Sequence, residues 1–132
     1  MEYKIVELKS FGDKNGSLVA LEAEKNIPFE IKRVYYIFGT KKDFVRGKHS
    51  HKNLKQYIIC VSGSCDFYLD DGDRKEKITL DSPLKAIYIE GNIWREFVNF
   101  SKDCVIMVLA NQYYNEKEYI KDYEEFLKCK KK

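Results

Sequence analysis

The feature that most constrains this chain is a rhythm. From Tyr3 to Ala110, short runs of β-branched and aromatic residues alternate with turn-forming clusters at near-even spacing. The runs cover residues 3–8, 17–22, 33–38, 56–62, 65–69, 76–80, 86–89, 94–99 and 104–110. Between them stand Gly12-Asp13-Lys14-Asn15-Gly16, Asn26-Ile27-Pro28-Phe29, Asp70-Asp71-Gly72-Asp73, Asp81-Ser82-Pro83 and Gly91-Asn92. Gly, Asn and Asp tolerate positive φ, and Pro removes a ladder donor, so each cluster ends a strand. With the polar segment 46–51 this makes about nine or ten strands, the pattern of an all-β sandwich or jelly-roll barrel. Run 56–62 is almost wholly apolar, as expected for a strand covered on both faces. After Ala110 the period changes. Tyr119, Ile120, Tyr123, Phe126 and Leu127 recur at helical spacing in a charged stretch, which predicts an amphipathic helix over residues 115–130. No linker or internal repeat interrupts the chain, so a single domain over residues 1–132 is expected.

Composition narrows the partners. The aromatic share of 14%, with 10 Tyr and 8 Phe, favours strands and stacking surfaces over a helical bundle. The net charge of +3 owes much to Lys128 and Lys130 to Lys132 at the end of the chain. A solvated basic tail is the expectation, and no nucleic-acid partner. No apolar run is long enough to span a membrane and no secretory leader opens the chain, so no membrane partner and a cytoplasmic location are expected. Cys60, Cys65, Cys104 and Cys129 form no CxxC pair, and free thiols in a reducing compartment are expected.

The chain has 2 histidines, His49 and His51, inside Arg46-Gly47-Lys48-His49-Ser50-His51. In a strand, residues i and i+2 point to one face, so both imidazoles aim into whatever that face encloses. Imidazole is the side chain best suited to move protons or bind a metal near neutral pH. On run 33–38 the same alternation places Arg33 and Tyr35 on one face and Tyr36 on the other. Arg33 and Tyr35 are the pair expected to line the site.

The block Gly47-x-His49-x-His51, followed by Gln56 and Gly63, resembles the first signature of the cupins, small jelly-roll barrels with an HxH pair, a glutamate and a closing glycine. Ile89-Glu90-Gly91-Asn92-Ile93-Trp94-Arg95 resembles the second. The glutamate position carries Gln56, and the remaining histidine of a metal-binding cupin is replaced by Trp94 and Arg95. A metal site needs about three or four N or O ligands, and two good ones remain, so no metal is expected. Acid–base work by the imidazoles is the alternative the residues favour.

A narrower resemblance covers nearly the whole chain. Gly16-Ser17-Leu18-Val19-Ala20-Leu21-Glu22, Ile27-Pro28-Phe29, Lys32-Arg33-Val34-Tyr35-Tyr36-Ile37, the histidine block, Val61-Ser62-Gly63-Ser64-Cys65, Leu80-Asp81-Ser82-Pro83 and Val108-Leu109-Ala110 resemble the dTDP-4-keto-6-deoxyhexose 3,4-ketoisomerases. The resemblance implies an isomerase that moves a keto group from C4 to C3 of a dTDP-linked sugar through an enediol, with no cofactor. It implies His49 as the base at C3 and His51 as its partner in proton delivery or in holding the sugar oxygens. Tyr35 would donate to or relay from a sugar oxygen, and Arg33 would bind the pyrophosphate. Arg46 is divided between a phosphate contact and loop stabilisation, Gln56 between a site hydrogen bond and a structural amide, and Trp94 between stacking on the ligand and core packing. Asn15 and Arg95 depart from one version of the family pattern, in which arginine and histidine stand there. Both are expected to flank the sugar, and the loss of a titratable histidine at Arg95 points to the 3-keto-6-deoxyglucose epimer. A non-catalytic sugar-nucleotide binding module and a metal-dependent cupin oxygenase are the other readings. A homodimer that covers an edge strand, by exchange of the N-terminal strand, is expected.

Overall fold

The computed structural model describes residues 3–130. Two five-stranded antiparallel sheets pack face to face, with a separate hairpin and a C-terminal helix. The first sheet has the order β1 (Tyr3–Glu7), β9 (Lys85–Glu90), β6 (Lys55–Ser62), β11 (Val105–Ala110) and β4 (Arg33–Ile37). The second has the order β12 (Tyr119–Ile120), β5 (Arg46–His51), β10 (Trp94–Val98), β7 (Cys65–Asp70) and β8 (Lys75–Leu80). The hairpin joins β2 (Phe11–Asp13) to β3 (Gly16–Leu18), and α1 spans Tyr123–Lys130. The chain crosses between sheets at almost every connection, and the architecture is that of a cupin-type jelly roll.

The period-two pattern explains the layers. Ile58, Cys60, Ile87, Ile89, Ile106 and Val108 point from the first sheet at Cys65, Phe67, Leu69, Leu80 and Phe97 of the second. Phe67 and Phe97 stack at the centre, with ring centroids 4.4 Å apart. The alternate residues of the first sheet, Tyr57, Ile59, Ala86 and Leu109, bury under Leu8, Ile27 and Phe29. Strand β6 is therefore covered on both faces, which accounts for its unbroken apolar run.

That outer cover changes one expectation. The run 17–22 forms a strand only as far as Leu18. Val19, Leu21 and Ile31 pack instead on the outside of the first sheet as irregular chain. Asn26 fixes that path: its amide donates to the Ala20 carbonyl at 2.7 Å, and its oxygen accepts from the Glu22 N–H at 2.7 Å. Side-chain capping has replaced a ladder here.

The C-terminal helix is also shorter than its periodicity predicts. Residues 115–130 divide into a 3₁₀ turn (Glu116–Glu118), strand β12 and α1. The apolar positions still mark the buried face, because Ile120 and Phe126 pack with Trp94 on the outside of the second sheet. What helical spacing could not show is that Tyr119 and Ile120 pair with His51 and Ser50 of β5. Tertiary pairing has overridden the local preference.

All four cysteines are free, and Cys60, Cys65 and Cys104 are buried. Burial pushes the Cys60 thiol up to about 12 and raises Cys65 and Cys104 as well, so all three are protonated packing groups. Among the described residues no helix is long and apolar enough to cross a membrane.

Candidate active site

The two sheets part at one seam. β4 is the edge of the first sheet, and beyond β5 the second has only the two residues of β12. Between them opens a cleft of about 600 Å³. Arg33, Tyr35, Arg46, His49, Gln56 and Arg95 line it, with Ile58, Phe97, Tyr114 and Tyr119 among the apolar and aromatic walls. On β4, Arg33, Tyr35 and Ile37 are the more covered residues, while Val34 and Tyr36 are exposed, as strand alternation requires.

A bulge in β5 aims the imidazoles. Phe97 pairs with Arg46 and Glu96 with Gly47, but Arg95 pairs with His49, so Lys48 is an extra residue. Gly47 and Lys48 have φ values of 93° and 50°. A Cβ at Gly47 would lie 2.9 Å from the Arg95 carbonyl oxygen, so no side chain fits. The left-handed conformation of Lys48 costs about 1 kcal/mol. The result is that Arg46 and His49, three positions apart, both reach the cleft.

The imidazoles differ in exposure and in role. His49 Nδ1 lies 2.9 Å from the Gly47 carbonyl oxygen. A carbonyl oxygen only accepts, so Nδ1 carries the proton and Nε2 is the basic atom of the neutral ring. Nε2 is 3.1 Å from His51 Nε2, which therefore donates to it. His51 is fully buried behind His49, does not line the cleft, and its Nδ1 has no hydrogen-bond partner. Desolvation, and then the Arg95 cation, lower His49 from its ordinary 6.5 to about 4. The same two causes, followed by His49 and Arg33, lower His51 further. Both rings are neutral at physiological pH.

Arg95, Gln56 and Tyr35 form one chain of hydrogen bonds. Arg95 Nη1 donates to Gln56 Oε1, and its Nε and Nη2 donate to the Ile93 carbonyl at 3.3 and 3.1 Å. Gln56 Nε2 donates to the Tyr35 hydroxyl oxygen at 3.1 Å. Tyr35 is left with its own hydrogen free to point into the cleft. Burial raises the Tyr35 phenol above its ordinary value, so it remains a donor. Burial lowers Arg95 to about 10, which leaves it a cation at neutral pH. Arg33 adds a second cation, with its guanidinium carbon 5.2 Å from the Tyr35 ring centroid and 5.8 Å from that of Tyr114. Its buried Nε has no hydrogen-bond partner. Among the described residues neither guanidinium is ion-paired with a carboxylate. Two cations without counter-charges, Arg95 buried and Arg33 half-buried, make a cleft that suits an anion, and guanidinium matches phosphate geometry.

Two expected site residues lie elsewhere. Trp94 precedes the inward-facing Arg95, so it points outward, packs on Ile120, Tyr123 and Phe126, and donates to Glu96 at 3.0 Å. Its role is to seat α1. Asn15 lies in the exposed turn of the β2–β3 hairpin, away from the cleft of its own chain. In turn, the sequence alone does not single out Tyr119, whose ring centroid is 4.3 Å from that of His51 and 5.0 Å from that of His49. Its place in an apparent helical period hides it. Among the described residues no group of three or more His, Cys, Asp or Glu side chains is placed to hold a metal ion.

The family model described as "FdtA: WxcM-like, C-terminal" matches residues 1–131. A relative from Aneurinibacillus thermoaerophilus, a TDP-4-oxo-6-deoxy-alpha-D-glucose-3,4-oxoisomerase, is 52% identical over 128 residues, which cover 97% of this chain and 92% of the relative. The crystal structure of a 3,4-ketoisomerase from Helicobacter canadensis superposes with a TM-score of 0.97 at 49% identity, covering 100% of this chain and 99% of that one. A histidine-to-asparagine mutant of the 3,4-ketoisomerase QdtA from Thermoanaerobacterium thermosaccharolyticum, in complex with TDP-4-keto-6-deoxyglucose, superposes with a TM-score of 0.96 at 40% identity. It covers 98% of this chain and 94% of that one. Likeness over essentially the full length, at these identities, places the chain in the sugar 3,4-ketoisomerase family of the cupin superfamily.

Proposed function

We propose that this protein converts dTDP-4-keto-6-deoxyglucose to dTDP-3-keto-6-deoxyglucose by acid–base proton transfer. The observation that carries the reading is the placement of a neutral imidazole and a free phenol hydrogen on facing walls of a cationic cleft. Arg33 and Arg46 supply charge for the pyrophosphate. His49 Nε2 takes the C3 proton, displacing the hydrogen bond from His51, and the C4 carbonyl oxygen takes up the negative charge of the enediolate. Arg95, fixed by Gln56 and the Ile93 carbonyl, is the near cation that stabilises that charge. The O3 proton passes to O4, C4 takes a proton, and the carbonyl is left at C3.

The stereochemistry follows from ring geometry. In a glucose-type chair the axial hydrogens of C3 and C4 lie on opposite faces. A gluco product therefore needs its C4 proton from the wall opposite the base. Tyr35 on β4 faces His49 on β5 across the cleft, and its hydrogen is free because its oxygen accepts from Gln56. Arg95 does not titrate near neutrality, so it offers no competing proton on its own wall. Proton exchange with water resets Tyr35 and His49 after each turnover.

A homodimer is part of the proposal. The β2–β3 hairpin pairs with no other strand among the described residues, and Phe11 and Leu18 leave large apolar surfaces exposed on it. Asn15 at its tip can flank a sugar only in the cleft of a second copy. Sedimentation velocity at micromolar concentration tests the pairing, with a monomer as the adverse result. Incubation with dTDP-4-keto-6-deoxyglucose in deuterated water, followed by NMR of the product, tests the chemistry. The expected product carries deuterium at C4 with an equatorial hydroxyl. An axial hydroxyl would refute the assignment of Tyr35 as the C4 donor.

A further inference from the structure

We propose that Tyr119 is a positioning residue for the imidazole pair: its ring closes the open edge of the second sheet over His49 and His51, and holds them dry and in register. The proposal rests on the reading of His49 as the base. Strand β5 would otherwise be an edge, with the histidines at its end open to water. Instead Tyr119 pairs with His51 across the ladder, and its ring lies against both imidazoles. The next residue, Ile120, points to the opposite face and is buried with Trp94 and Phe126. Alternation along β12 therefore anchors one side chain beneath α1 and delivers the other to the site. The ring has its own support in Tyr114, 5.6 Å away between centroids.

Several groups face His49 besides Tyr119. They are Arg95 from β10, His51 from β5 itself, Arg33 and Tyr35 from β4, Gln56 from β6, Arg46 beyond the bulge, and Lys121 just after β12. The cations among them disfavour a charged imidazole, but loss of water is the larger cause of its lowered pKa. Removing the ring restores water and leaves every cation in place. The His49 midpoint then moves up towards its ordinary value without reaching it.

The experiment follows the histidine ring protons by NMR against pH in wild-type protein and in Tyr119→Ser and Tyr119→Phe. Tyr119→Ser should raise the His49 midpoint by about one pH unit; the stronger base does not offset the lost register of the ring, and kcat should fall about tenfold with KM little changed. Tyr119→Phe keeps the ring and should retain the wild-type midpoint and kcat. An unchanged midpoint in Tyr119→Ser overturns the proposal, as does a Tyr119→Phe protein that behaves like Tyr119→Ser. For a Tyr119→Ser chain that fails to fold, Tyr119→Leu is read by the same criterion: a rise supports the role and no rise rejects it. The titration needs no substrate. A wild-type protein without ketoisomerase turnover would defeat the proposed function, and the midpoints alone would then decide the role of Tyr119.

Discussion

His49 and His51 meet through their Nε2 atoms at 3.1 Å, and only His49 reaches the cleft. One imidazole is placed to touch substrate and the other to hold it. His49→Asn should lower kcat by about 10³ to 10⁴, because a general base is lost, while dTDP binding by calorimetry stays within about threefold. His51→Asn should cost less, on the order of 10², since an amide can still donate to His49 Nε2. Equal losses in the two variants would contradict this division of labour.

Tyr35 and Gln56 are expected to behave as a unit. Tyr35→Phe removes the donor to C4 and should reduce kcat by about 10². Gln56→Glu keeps the shape and retains an acceptor for Arg95, but replaces the amide donor with a carboxylate. The Tyr35 hydrogen would then turn to that carboxylate and away from the cleft. A drop of similar size to that of Tyr35→Phe is expected, and the double variant should be little worse than either alone. Additive losses would show that the two act separately.

The acid side of the pH profile should reflect the half-buried imidazole of His49. With His49 at about 4 instead of 6.5, the base stays available well below neutrality. The acid limb of kcat/KM should therefore fall near pH 4. Stability has a different window. Between about 4 and 6.5 the unfolded chain protonates this histidine and the folded chain does not. The unfolded state binds more protons there, so stability is complete above 6.5 and is lost as pH falls towards 4. Melting curves across that range should show a falling Tm, and His49→Asn should flatten the fall.

Trp94 provides the contrast. It packs under α1 on the far side of the sheet from the cleft. Trp94→Ala should destabilise by about 3–5 kcal/mol, while the folded fraction keeps its KM. Denaturant titration with parallel kinetics separates the two effects. A selective rise in KM with unchanged stability would return Trp94 to the binding site.

The strands were legible because apolar alternation and turn chemistry act locally. The parity argument that chose Tyr35 over Tyr36 depends only on the pleat: Tyr35 is the more covered of the two and bonds Gln56, while Tyr36 is exposed and borders the cleft from its rim. The same parity, applied to residues 94 and 95, would have separated Trp94 from Arg95. Long-range effects were not legible. Nothing near Tyr119 announces that its backbone will pair with His51, nor does the Val19–Leu21 stretch reveal that a side-chain amide at Asn26 will replace its ladder. The bulge at Lys48 was hidden for a related reason. It is defined by a partner strand far along the chain, through the Arg95 and Glu96 register.

That bulge lets two traits share one cleft. Were Lys48 drawn into the ladder, Arg46 and His49, three positions apart, would fall on opposite faces of β5. A one-residue slip of the strand ahead of His49 would thus turn Arg46 outward and leave both imidazoles in frame. Removing Lys48 has no such effect, because Arg46 would then stand two positions from His49 on the same face of a regular strand. Grip on the anionic end of a ligand therefore hangs on a residue that makes no ladder pair of its own.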